Sequence, residues 1–162
     1  MARFEITTFI RNRPGIVFDL SRSIDLHMIS TARTNEKAVA GVTKGLIGLN
    51  ETVTWRAFHL FKTRSFTSAI TAFDFPFSFK DEMTAGDLKS FSHTHIFKPQ
   101  NGGTLMTDKV ALEAPFGFAG KILMTVFLKN YFRKLLNERN TIIKKYAENG
   151  EAARILKITD IE

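Results

Sequence analysis

The chain has 162 residues, 44% of them hydrophobic and 24% charged, and no cysteine. That length suits one domain, the apolar content argues for a core rather than disorder, and disulfides, thiolate catalysis and Cys-ligated zinc are excluded. The net charge of +7 concentrates in residues 121–145, where Lys121, Lys129, Arg133, Lys134, Arg139, Lys144 and Lys145 are set against Glu138. No nucleic-acid motif accompanies that charge, so a solvated helix back is expected, nucleic acid is not an expected partner, and peripheral contact with a membrane surface stays open.

MARFEITTFI alternates from its first residues and carries no charged-then-apolar leader. The longest apolar run, Ile122 to Leu128, is interrupted by Thr125 and falls well short of the ~20 residues that span a bilayer. A cytoplasmic protein is the expectation. Arg3 to Ile10 reads as a strand with Phe4, Ile6 and Thr8 on one side. Pro14 opens a short helix with Ile16, Val17, Phe18 and Leu20, and a second helical piece covers Ser23 to Ser30. Residues 31–50 read as loop, with a short strand near Glu36–Ala40.

From Glu51 the period is two. Val53, Trp55, Ala57 and His59 share a face, and another strand covers Arg64–Phe73. After a turn at Pro76, Phe77, Phe79, Asp81 and Met83 align, and Gly86 marks the next turn. In Ser90–Phe97 the residues Phe91, His93, His95 and Phe97 alternate with Ser92, Thr94 and Ile96. Asn101-Gly102-Gly103 is a strong hairpin signal, and Leu105–Ala114 is the last strand, with Met106, Asp108, Val110 and Leu112 together. A helix from Phe118 to Ala147 follows, with Met124, Leu128, Tyr131, Phe132, Leu135, Ile142, Ile143 and Tyr146 as its stripe. Residues 1–150 read as a single domain, and residues 151–162 as a C-terminal tail.

The fold class predicted is α+β: a curved antiparallel sheet of six or seven strands wrapped on one long C-terminal helix, with two short helices after the first strand. A bent sheet on a single rod leaves a gap, the natural place for a ligand. By strand parity the gap side holds Trp55, His59, Phe79, Asp81, Phe91, His93, His95, Phe97, Met106 and Asp108. The helix adds Met124, Leu128, Tyr131 and Phe132, and also Arg139, which sits where an apolar residue is expected. Sixteen Phe against one Trp and two Tyr make that gap greasy.

The chain resembles the START/Bet v 1-like helix-grip superfamily, often labelled SRPBCC, and within it a bacterial ligand-binding subgroup. The likeness rests on Val53-Thr54-Trp55-Arg56 with His59, Phe79-Lys80-Asp81-Glu82-Met83, and Phe91-Ser92-His93-Thr94-His95-Ile96-Phe97. Thr104 with Met106 and Asp108, Ala114-Pro115-Phe116-Gly117 and Arg139 complete it. The resemblance implies the helix-grip fold, on which lipid carriers, polyketide cyclases, co-chaperones and hydrolases all occur.

Three uses of His93, His95, Asp81 and Asp108 are open from sequence. The first is a paired polar network that pins the strands and anchors a fatty-acyl, isoprenoid or polyketide-like ligand, since buried polar groups must be partnered. The second is acid–base chemistry of cyclase or dehydrase type by a His–Asp pair in an apolar gap. The third is metal ligation, because His-x-His on a strand turns two imidazoles the same way and a neighbouring carboxylate can add a third ligand. That spacing is common and the resemblance implies no metal centre, so the anchoring reading leads and neither a metal nor a cofactor is assigned. The sequence does not set an oligomeric state.

Overall fold

Alternation along the chain becomes strand, and the computed structural model contains seven of them. It describes residues 1–59, 61–114 and 118–157, the side chains of residues 59 and 118–125 excepted. Strand β1 (Ala2–Ile10) leads into helices α1 (Pro14–Ser21) and α2 (Ile24–Ser30). Pro14 occupies the first turn of α1, where its missing N–H costs nothing. Ser23 caps α2 by accepting the Leu26 amide at 3.2 Å. Strands β2 (Lys37–Gly41), β3 (Thr52–His59), β4 (Lys62–Asp74), β5 (Ser78–Ala85), β6 (Ser90–Gln100) and β7 (Gly103–Glu113) follow, then helices α3 (Phe118–Glu148) and α4 (Ala152–Leu156). The Asn101-Gly102 hairpin forms as expected, both residues having positive φ, at 48° and 73°.

All neighbours in the sheet are antiparallel, in the order β1-β7-β6-β5-β4-β3-β2. Register decides which side chains face α3. Strand β6 pairs with β7 without a break, placing His93 opposite Val110 and His95 opposite Asp108. Strand β5 pairs with β6 without a break, placing Asp81 opposite His93. The irregularities between β4 and β5 fall around Thr67/Ser68 and Ile70/Ala72. Asp81 therefore stays in phase with the histidines.

Two short helices plug one end of the sheet and α3 covers the rest. Phe18 of α1 is fully buried, with ring centroids 5.1 Å from Phe73 and Phe79 and 5.2 Å from Phe97. Helix α3 buries Leu128, Leu136, Arg139, Asn140, Ile143 and Ala147. That stripe is turned slightly from the predicted one: Tyr131, Leu135, Ile142 and Tyr146 lie on its flank, half-buried. The segment read as a tail carries α4, whose Ala152 is buried and whose Ile155 and Leu156 join the core beneath α1. No helix among the described residues is long and apolar enough to cross a membrane.

Candidate ligand site and its polar pole

A cavity of about 510 Å³ lies between the sheet and α3. Val53 and Trp55 of β3, Phe66, Ser68 and Ile70 of β4, Phe79 of β5 and Phe91 of β6 form its sheet side. Leu128, Tyr131, Phe132, Leu135 and Leu136 form its helix side. Ile24 and His27 of α2 close one flank, and His27 stacks on Trp55 at 4.1 Å. Lys62, Arg64, Asp87 and Leu88 border it as well, with Arg64 and Asp87 ion-paired.

Apart from those border residues and Arg22, His27 and Glu36, the acidic and basic side chains grouped on this wall are Asp81, His93, His95 and Arg139. The strand pleat explains the first three, because alternate residues of adjacent strands in register share a face. Behind them lies Asp108, fully buried. His93 Nε2 donates to Asp108 Oδ1 at 2.9 Å. His95 Nδ1 lies 2.8 Å from the same oxygen but off the ring's N–H axis, so the contact is close yet poorly directed. Asn140 Nδ2 donates to Asp108 Oδ2 at 2.6 Å. On the cavity side, Asp81 Oδ2 is 3.4 Å from His95 Nε2 and 3.8 Å from His93 Nδ1. Arg139 Nη2 donates to the Ser21 carbonyl at 2.5 Å, while its Nη1 is buried with no hydrogen-bond partner among the described residues.

The electrostatics follow from this packing. Burial, the largest influence on Asp108, would raise its pKa, but the two histidines together hold it well below the ordinary value. Burial opposes ionisation of Asp81 too, and the His95 hydrogen bond with the charges of His93, His95 and Arg139 outweighs it, so Asp81 is also lowered. Burial dominates His93, which is pushed down with help from His95. Burial would lower His95 as well, but hydrogen bonding to Asp108 and Asp81 raises it. Arg139 is lowered by burial, against the pull of Asp108 and Asp81. The pole can thus hold one proton or one cation among two ionised carboxylates.

Of the residues predicted from sequence, Trp55, Phe79, Asp81, Phe91, His93, His95, Leu128, Tyr131, Phe132 and Arg139 line the cavity. Phe97, Met106 and Asp108 do not. Parity points them inward correctly, but α1 occupies the space in front of Phe97 and Met106, with Phe18 against Phe97 and the Ser21 hydroxyl 3.4 Å from Met106 sulfur. Asp108 is covered by the two histidines and Asn140. The side chains of His59 and Met124 fall outside the described residues. Asn140, His27 and Glu36 were not anticipated. Asn140 carried a readable signal, being an amide four residues after Leu136 and three before Ile143 on the buried face. His27 and Glu36, whose Nε2 and Oε2 lie 3.2 Å apart, flank poorly patterned sequence and carried none.

The chain has the START/Bet v 1-like, or SRPBCC, helix-grip fold. It is similar to the solved structure of TTHA0849 from Thermus thermophilus, at 17% identity and a TM-score of 0.64, over 98% of this chain and 100% of that one. It is similar to the major latex-like protein 151 of Panax ginseng, at 13% identity and a TM-score of 0.64, over 90% of this chain and 97% of that one. StfQ, a di-domain ARO/CYC of the steffimycin biosynthetic pathway, matches at 11% identity and a TM-score of 0.72, over 92% of this chain and 51% of StfQ. Identities this low speak for the fold alone. No family model matches the chain, and no curated protein does.

Proposed function

We propose that the protein binds a hydrophobic small molecule, an acyl chain, isoprenoid or polyketide-like compound, between the sheet and α3. The observation that carries this reading is the cavity itself: about 510 Å³ walled largely by aromatic and aliphatic side chains, with Asp81, His93, His95 and Arg139 grouped on one part of its wall. Apolar burial at ~25 cal/mol per Å² supplies the affinity. The pole supplies orientation, because Arg139 lines the cavity there and its guanidinium keeps one nitrogen, Nη1, without a partner among the described residues.

Trp55, the chain's one tryptophan, lines the cavity and is the natural reporter. Titration with 11-(dansylamino)undecanoic acid is expected to give saturable energy transfer from Trp55 at one equivalent. Native mass spectrometry of the gently purified chain is expected to show a non-covalent adduct of lipid mass. Neither transfer nor an adduct would end the reading.

A second reading, acid–base turnover of cyclase or dehydrase type, is favoured by one feature. Asp108 accepts from His93 Nε2 and lies 2.8 Å from His95 Nδ1, so the opposite edges of both rings face the cavity. The likeness to StfQ, an ARO/CYC, supports the same idea. Dehydration of a poly-β-ketone analogue by the wild type, lost in His95→Gln with dansyl-probe binding intact, would select it.

A further inference from the structure

We infer that Asp81, His93 and His95 form a binding site for one divalent first-row transition-metal ion, of the Zn²⁺ or Fe²⁺ type, opening into the cavity. The three residues come together by construction. His93 and His95 share the inward face of β6 with ring centroids 3.8 Å apart, and Asp81 is the β5 partner of His93. One donor atom from each lies within 4.8 Å of the other two.

The direction of the lone pairs makes the case. A neutral imidazole has one N–H and one lone pair, and the partner of one nitrogen decides the state of the other. Asp108 Oδ1 stands at the rear nitrogens, His93 Nε2 at 2.9 Å and His95 Nδ1 at 2.8 Å. The hydrogen bond from His93 Nε2 to Asp108 turns the His93 Nδ1 lone pair forward, and a proton on His95 Nδ1, close to the same carboxylate though off its axis, leaves the Nε2 lone pair forward too. What they face is a third electron-pair donor, Asp81 Oδ2, at 3.8 and 3.4 Å. Three donors converging without a hydrogen between them repel one another unless a cation sits in the middle. Ligands ~2.0–2.1 Å from a tetrahedral ion lie about 3.3 Å apart, close to the 3.4 Å separation and somewhat less than the 3.8 Å one.

The surroundings agree. Asp108 is a buried carboxylate behind both imidazoles, held in turn by Asn140 at 2.6 Å, and such backing fixes the tautomer and orientation of ligating histidines. Asp81 and Asp108 share the field of one guanidinium, that of Arg139, so neutral histidines leave the pole one negative charge in excess. Two nitrogens and one carboxylate oxygen suit Zn²⁺ or Fe²⁺ better than Mg²⁺ or Ca²⁺. All three residues line the cavity, which leaves coordination positions on that side for water or a ligand oxygen. The competing occupant is a proton on His95, donated to Asp81.

Titration of the metal separates the two, and it needs no apolar ligand, so its outcome stands apart from the cavity reading. The full chain, freed of tag and treated with a chelator, is titrated with Co²⁺ alone and then with Zn²⁺. The expected result is saturation at one equivalent, visible d–d bands, displacement by one equivalent of Zn²⁺, and paramagnetic shifts of the His93 and His95 ring protons. Asp81→Asn should abolish the bands, and Asp108→Asn should weaken binding by about 10- to 100-fold. Asp81 is the least buried of the set, at 19% exposure, so Asp81→Asn is the variant expected to keep the fold, checked by near-UV circular dichroism. Should it unfold, the ring-proton shifts in the wild type decide. Absence of saturable Co²⁺ binding, binding that survives a folded Asp81→Asn variant, or Co²⁺ shifts that miss both histidines would overturn the proposal.

Discussion

Filling the cavity should abolish binding while leaving the protein folded, and Ser68 is the place to do it. Ser68 lies on β4 between Val53 and Met83, is 5% exposed and lines the cavity. Ser68→Phe projects a ring into space that an apolar ligand would occupy. The ring takes roughly the room of five methylenes, and each one displaced forfeits ~0.8 kcal/mol of transfer energy. The expected loss is therefore about 4 kcal/mol, or roughly a thousandfold in Kd for the dansyl fatty acid. Stability should move the other way or not at all, because an apolar ring entering a void gains contacts. Ser68→Ala serves as the control and should bind within about threefold of wild type. The assay is energy transfer from Trp55, paired with urea unfolding of each variant. Near-normal binding by Ser68→Phe together with a loss of about 1–3 kcal/mol of stability, the usual cost of overpacking, would mean that the space is already full. The reasoning would then be refuted.

Replacing Arg139 by Met removes the buried donor while keeping an apolar stem of similar bulk. Charge-assisted hydrogen bonds are worth about 1.5–3 kcal/mol, so the variant should bind the carboxylate probe about 10- to 100-fold more weakly and its neutral amide nearly unchanged; equal losses for both would show that Arg139 merely packs. Asp108→Asn removes one charge from a buried set and should cost about 3 kcal/mol in urea unfolding. Asn140→Leu strips Asp108 Oδ2 of its donor and should cost about 1–3 kcal/mol, with the double variant losing less than the sum; strict additivity would show that the 2.6 Å contact carries no coupling. Glu148 clamps the end of β1 to α3, accepting from Lys144 Nζ at 2.6 Å and from the Arg11 amide at 2.8 Å, and these contacts lower its pKa below the ordinary 4.5. A depressed carboxylate contributes stability above its ordinary pKa that is lost as pH falls through the folded value. The Arg11 amide shift in nuclear magnetic resonance should titrate below pH 4.5 and stop titrating in Glu148→Gln.

The fold was legible because this sheet repeats its period in nearly every strand and ends on one long helix. Phe91, His93, His95 and Phe97 needed no tertiary information to be placed on one face, because the pleat alone does it. The irregularity at Ile70/Ala72 was not visible, and the prediction survived because it shifts the β4–β5 pairing while the β5–β6 register stays intact. The helix stripe was read slightly askew for a related reason. Arg139 is buried within the stripe as its position predicts, while Asn140 beside it is buried too, although a hydropathy projection gives an amide there no apolar weight.

Parity states which way a side chain points and not how far it can see. Phe97 and Met106 point inward as Phe91 and His93 do, yet α1 fills the space above them, and no pattern in Pro14–Ser21 says which end of the sheet that helix will cover. The same limit hid the division of labour at the pole. Asp81 and Asp108 look alike in sequence, each an inward acid beside the His-x-His strand. Register separates them, placing Asp81 across from His93 on one neighbour and Asp108 across from His95 on the other. Asp108 then lies behind both rings with Asn140 while Asp81 stands at the cavity, so one carboxylate orients and the other is left to coordinate or accept. Register sets the two positions, and Asn140 on α3 adds the donor that partners the buried Asp108 Oδ2.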